Sequence, residues 1–127
     1  AVADKQNSYK SSEMDQNKEY ITWGDFEKVE IRVGTIIRAE VFEEARNPAY
    51  KLVIDFGASG TRKTSAQVTR LYQPEELVGK QVTAVINFPP KQIANIQSEC
   101  LLLGAVDGKD VTLLTTDKPV ENGLRIG

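Results

Sequence analysis

Four cations, Lys51, Arg62, Lys63 and Lys91, fall in a strand-like stretch with the short polar side chains Ser65, Gln67, Asn87 and Ser98 and the apolar Phe88, Ile93 and Ile96. If the fold brings them to one face, they make a groove for an extended chain, with cations at the rim and apolar contacts from Phe88, Ile93 and Ile96. Charge distribution favours this stretch. Residues 21–50 carry four basic and six acidic side chains, residues 51–91 six basic and three acidic, and residues 92–127 three basic and five acidic. A solvated strand face is the competing reading, and for Asn87 and Ser98 so is hydrogen bonding to the backbone. The segment from Asn87 to Glu99 is the leading binding element, because a strand there ends in the proline-locked corner Pro89-Pro90 and a rigid scaffold commonly presents such loops to a ligand. Ile93 and Ile96 serve equally well as the floor of a barrel.

Other chemistry is excluded by counting. The 127 residues include no histidine and one cysteine, so His-based metal sites, Ser-His-Asp and Cys-His pairs, CxxC motifs and intrachain disulfides are unavailable within the chain. Cys100 opens the apolar run Cys100-Leu101-Leu102-Leu103 and reads as a buried, inert thiol. Glu43-Glu44 and Glu75-Glu76 are adjacent pairs whose side chains diverge. The glycines form neither GxGxxG nor GxxxxGK[ST]. We therefore expect no catalytic residue, no metal, no cofactor and no enzymatic activity. The net charge of −2 argues against a surface that binds nucleic acid all over. No run approaches the roughly 18 apolar residues of a membrane span and no apolar stretch follows a basic start, which leads us to expect a cytoplasmic protein.

The elements that must position these groups follow from periodicity. Residues 1–20 are polar and aperiodic, and we set them apart as an N-terminal extension, either disordered or an added leader ahead of Met14. If ordered, they should lie along a groove of their own or a neighbouring molecule through Tyr9, Met14 or Tyr20. Residues 21–127 form one domain. A short helix from Thr22 or Asp25 to Val29 carries Trp23, Phe26 and Val29 on one face, which either plugs a barrel end or joins a subunit interface. Ile31–Phe42 reads as a strand with Ile31, Val33, Thr35 and Ile37 on one face, Arg32 and Arg38 on the other, and a bend or bulge at Gly34. Lys51–Phe56 is a second strand with Leu52, Ile54 and Phe56 inward. Residues 57–60 turn, and Thr61–Val68 is the third strand. A helix at Pro74–Val78 stops at Gly79. Gln81–Phe88 is the fourth strand, Cys100–Leu103 begins a fifth, and Asp107-Gly108 turns into a sixth at Val111–Thr115. This pattern suits an all-β, five-stranded Greek-key barrel of the OB type with short helices and a C-terminal strand extension; an open β-sandwich is the alternative. Trp23 and Phe26, with the apolar C-terminal positions Val120, Leu124 and Ile126, are the expected homodimer interface.

Several motifs together are more specific than any of these patterns. The segments 25–36 (DFEKVEIRVGTI), 48–52 (PAYKL), 65–67 (SAQ), 87–90 (NFPP) and 98–104 (SECLLLG) resemble the tRNA-binding-domain family of OB-folds. The corner 87–91 and the ending PVENGLRIG at 119–127 resemble its small CsaA-like branch of secretion-linked chaperones. That resemblance implies a homodimeric OB-fold that binds unfolded or preprotein polypeptide segments, with the SecA translocation ATPase as a candidate partner. A tRNA-binding module is the alternative, with Lys51, Arg62, Lys63 and Lys91 on phosphates and Phe88 stacking on a base. Many tRNA-binding relatives carry His-Pro-x-Ala-Asp where this chain reads Arg46-Asn47-Pro48-Ala49-Tyr50, and Gly-Met near Glu99-Cys100. Both departures move the reading toward polypeptide.

Overall fold

The computed structural model describes residues 19–127. Tyr9 and Met14, and the groove expected for residues 1–18, lie outside the described residues, while Tyr20 is exposed.

Helix α1 (Trp23–Glu27) starts where the sequence supplies a cap: the Thr22 hydroxyl accepts from the Asp25 N–H at 3.1 Å, and the Asp25 carboxylate accepts from the Thr22 N–H at 3.0 Å. It buries no residue, so it does not plug the barrel. Strand β1 (Ile31–Val41) is long enough to pair with three others. Its first half lies between β4 (Gln81–Val85) and the C-terminal β10 (Arg125–Ile126), and its second half pairs with β2 (Tyr50–Asp55). A turn of 3-10 helix at Gly57–Ser59 leads from β2 to β3 (Thr61–Ala66). Helix α2 (Pro74–Leu77) follows, with proline in its first turn and Leu77 driven fully into the core.

The main sheet runs β3-β2-β1-β4-β7, with β7 at Leu101–Leu102 and β10 attached to β1. Its two ends approach each other. The Glu99 N–H donates to the Lys63 carbonyl at 2.8 Å, and the Thr64 hydroxyl donates to the Cys100 carbonyl at 2.8 Å. The result is the expected OB-type barrel, filled by Ile36, Leu52, Ile54, Phe56, Leu77 and Val82. Two antiparallel hairpins stand outside this sheet: β5 (Lys91–Ile93) with β6 (Ile96–Ser98), and β8 (Gly104–Asp107) with β9 (Asp110–Leu113).

Five readings along the chain need correction. In β1 it is Gly34 and Ile36 that face the barrel interior, so Ile37, next in the alternation, is 49% exposed, and the register then shifts between Ile36 and Arg38 so that Ala39 rather than Arg38 turns inward. The bulge expected at Gly34 is three residues later, at Ile37. Gly34 is there for room, since a Cβ would come within 2.6 Å of Ile54 Cγ2 and 2.7 Å of Phe56 Cδ1. Strand β4 stops at Val85 rather than Phe88, where the chain leaves β1 toward the proline corner, and β3 stops at Ala66 rather than Val68. The segment read as an apolar loop at 91–98 is itself a hairpin, turning at Ala94, whose φ is +48°.

Candidate functional site

Alternation along β2 and β3 decides what faces outward. Leu52 and Ile54 are buried in β2 and Thr64 and Ala66 in β3, so Lys51, Val53, Lys63 and Ser65 project from the opposite face. Cross-strand register sets Lys51 beside Ser65 and Val53 beside Lys63, and β1 adds Glu40 beside Lys51 and Arg38 beside Val53. The β5–β6 hairpin rises along this face, fastened at its base where Ser98 Oγ lies 2.9 Å from Thr64 Oγ1 and accepts from the Ser65 N–H at 3.4 Å.

Two neighbouring clefts result. The first, of about 190 Å³, is lined by Arg38, Glu40, Lys51, Val53 and Lys63 with Ile96 of the hairpin. The second, of about 500 Å³, lies between the loop Glu44–Asn47 and the hairpin residues Lys91–Ala94, with Ser65 and Gln67 between them. Across the second cleft the Asn95 amide donates to the Glu44 carboxylate at 3.1 Å, joining the two walls.

The clefts are cationic, with Arg38, Arg46, Lys51, Lys63 and Lys91 against Glu40 and Glu44. Part of this charge is already met. Lys51 Nζ lies 3.6 Å from Glu40 Oε1 and 5.4 Å from the centre of the Phe42 ring, and Arg38 approaches the same carboxylate at 4.0 Å. Among the described residues no carboxylate pairs with the ammonium groups of Lys63 or Lys91. With Arg46, which likewise pairs with no carboxylate among the described residues, these are the charges available to a ligand.

Seven of the residues picked from sequence therefore meet at the clefts: Lys51, Lys63 and Ile96 at the first, Ser65, Gln67, Lys91 and Ile93 at the second. Four are placed elsewhere. Arg62 has the inward phase of β3 and donates to the Ile86 carbonyl at 3.0 Å. Asn87 is a clasp between α1 and β4, accepting from the Glu30 N–H at 3.0 Å and donating to the Lys28 carbonyl at 2.6 Å. Ser98 holds the hairpin base, and Phe88 is 55% exposed but lines neither cleft. Sequence reading missed Arg38, Glu40, Val53, Arg46 and Asn47. The first three obey the same alternation as Lys51 and Lys63, but Arg46 and Asn47 sit in an aperiodic loop that gave no signal.

Cys100 is buried, and burial is the main cause that pushes its thiol up to about 11. Among the described residues no group of acidic or sulfur side chains could hold a metal ion, and no helix is long and apolar enough to cross a membrane. The expected interface residues gather on another side. Arg125 donates to the Glu27 carbonyl at 2.6 Å, setting α1 beside the C-terminal segment. There Trp23 is 82% exposed, Val120 and Leu124 are exposed, and Phe26 and Ile126 are half-buried.

Residues 31–125 match the family described as "Putative tRNA binding domain". The structure of the chaperone CsaA from Bacillus anthracis str. Ames superposes with a TM-score of 0.82 at 45% identity, covering 86% of this chain and 100% of that one. The CsaA chaperone protein from Picrophilus torridus gives a TM-score of 0.80 at 51% identity, over 85% and 100% of the two chains. The methionine–tRNA ligase of Methanococcoides burtonii is 36% identical over 110 residues, which is 86% of this chain and 16% of that enzyme. The chain spans only this small part of the curated relatives it matches.

Proposed function

Because the chain belongs to the tRNA-binding-domain family, on its CsaA-like branch, we propose that it is a non-enzymatic chaperone holding unfolded or preprotein segments in the two clefts along β3. The observation that carries this reading is the composition of the clefts: apolar Val53, Ile93 and Ile96 stand with the cations Arg46, Lys63 and Lys91, which pair with no carboxylate among the described residues. Apolar contact supplies affinity and the rim cations orient the segment. Binding is tested by anisotropy of a labelled preprotein segment. The reading expects saturable binding that Lys63→Glu with Lys91→Glu weakens by about tenfold, the loss of one or two charge contacts. Unchanged affinity in that double variant removes the site.

A second reading has its own observation. Five cations against two carboxylates, and the match to part of a methionine–tRNA ligase, support tRNA as the ligand. In either case the cytoplasm is the compartment where the ligand is met, and in the first the SecA translocation ATPase is the proposed recipient of the segment. We further propose that the α1 and C-terminal face, with Trp23, Phe26, Val120, Leu124 and Ile126, joins two copies into a homodimer.

A further inference from the structure

The second cleft does not end at Gln67. A third cleft, of about 530 Å³, shares Asn47 and Gln67 with it and continues beneath the β8–β9 hairpin, where Val106, Lys109 and Val111 form the far wall. The three clefts thus succeed each other along β3 and just past its end: Lys63 lines the first, Ser65 the second, and Gln67 both the second and the third, with Lys63 and Ser65 about 6.6 Å apart, the two-residue repeat of an extended polypeptide laid alongside.

An ion pair joins the loop after β3 to the hairpin beside the third cleft. Arg70 Nε donates to Asp110 Oδ1 at 2.6 Å, neutralising Arg70. That leaves Lys109 as the lining cation with no carboxylate partner among the described residues. Val106 is 72% exposed near the hairpin's Gly108 turn and stands opposite Val111 in the strand register, so the two form an apolar pair on the cleft wall.

Resting on the polypeptide reading above, we propose that the third cleft is the end of a single trough. It takes the last residues of the bound segment, an apolar side chain against Val106 and Val111 and a carboxylate side chain on Lys109. Charge complementarity selects the carboxylate; Asn47 and Gln67 join the second cleft to the third, and the β5–β6 hairpin, with Ile96 in the first and Ile93 in the second, borders the first two. The bound segment is then about eight or nine residues long, at about 3.3 Å each, rather than the four or five that the first two clefts hold.

The experiment compares labelled peptides of alternating Leu and Glu, one of about nine residues and one of about five, binding to the full chain. The trough predicts at least tenfold tighter binding of the longer peptide, the worth of one buried aliphatic side chain. Val106→Asp and Lys109→Glu, both exposed and checked for an unchanged circular dichroism spectrum, should each shrink that advantage and leave the shorter peptide unaffected. Equal affinity for the two lengths, or an advantage that survives both variants, overturns the third cleft while leaving the first two intact. If neither peptide binds while tRNA does, the polypeptide reading falls and takes the trough with it.

Discussion

Lys63 and Arg62 are adjacent, yet the pleat of β3 sends them to different tasks. Lys63 projects into the first cleft, while Arg62 reaches the Ile86 carbonyl at the end of β4. Lys63→Ala should weaken ligand binding without changing the denaturation midpoint; if the ligand is a nucleic acid, the slope of log affinity against log salt should fall by about 1. Arg62→Ala should do the reverse, losing about 1–3 kcal/mol of stability through a hydrogen bond from a charged donor while affinity is kept. Paired titrations and urea melts would separate the two. Cys100 is held as a thiol, since burial raises it to about 11. It should resist a thiol reagent at pH 8 in the native state and react on unfolding. The sign follows from linkage: a neutral form favoured by the fold keeps its stabilisation below the ordinary thiol range, and that contribution is lost as pH rises toward the folded value near 11.

At the scale of elements, β1 is the part on which the site depends, because its bulge sets which side of the strand Arg38 and Glu40 occupy. Gly34→Ala would push a Cβ to 2.6 Å from Ile54 and 2.7 Å from Phe56, both fully buried. The overpacking should cost about 1–3 kcal/mol, measured as a shift in the urea midpoint, whereas Gly108→Ala meets no atom within 4 Å and is strained only through its φ of +60°. How much of this could be read beforehand depended on regularity. Leu52, Ile54 and Phe56 alternate strictly, and they are buried as expected. Ile36 and Ile37 are chemically alike, and the phase set by Gly34, packed against Ile54 and Phe56, decided between them. The β5–β6 hairpin escaped notice because its three-residue strands are too short for a period and its turn uses Ala94-Asn95 instead of a glycine pair. Arg62 and Asn87 were polar groups in the right stretch, but their partners, Ile86, Glu30 and Lys28, come from other elements and only the fold brings them near.

For the whole molecule, two faces divide the work. In the proposed reading the clefts along β3 hold the ligand, and the face made by α1 with the C-terminal segment takes a second copy. Trp23→Glu should shift the mass seen by light scattering from dimer toward monomer, because a charge at an apolar interface core is desolvated without a partner; a monomeric parent chain would contradict the interface. The central claim is that the clefts hold a polypeptide chiefly through apolar contact, with cations as guides. The most direct measurement is anisotropy of a labelled unfolded preprotein segment on the full chain, challenged with unlabelled tRNA across a salt series. Affinity that changes little with salt, and a segment that tRNA does not displace, is the predicted result. Displacement by tRNA that weakens steeply and linearly with log salt would contradict it and identify the clefts as a phosphate-binding surface.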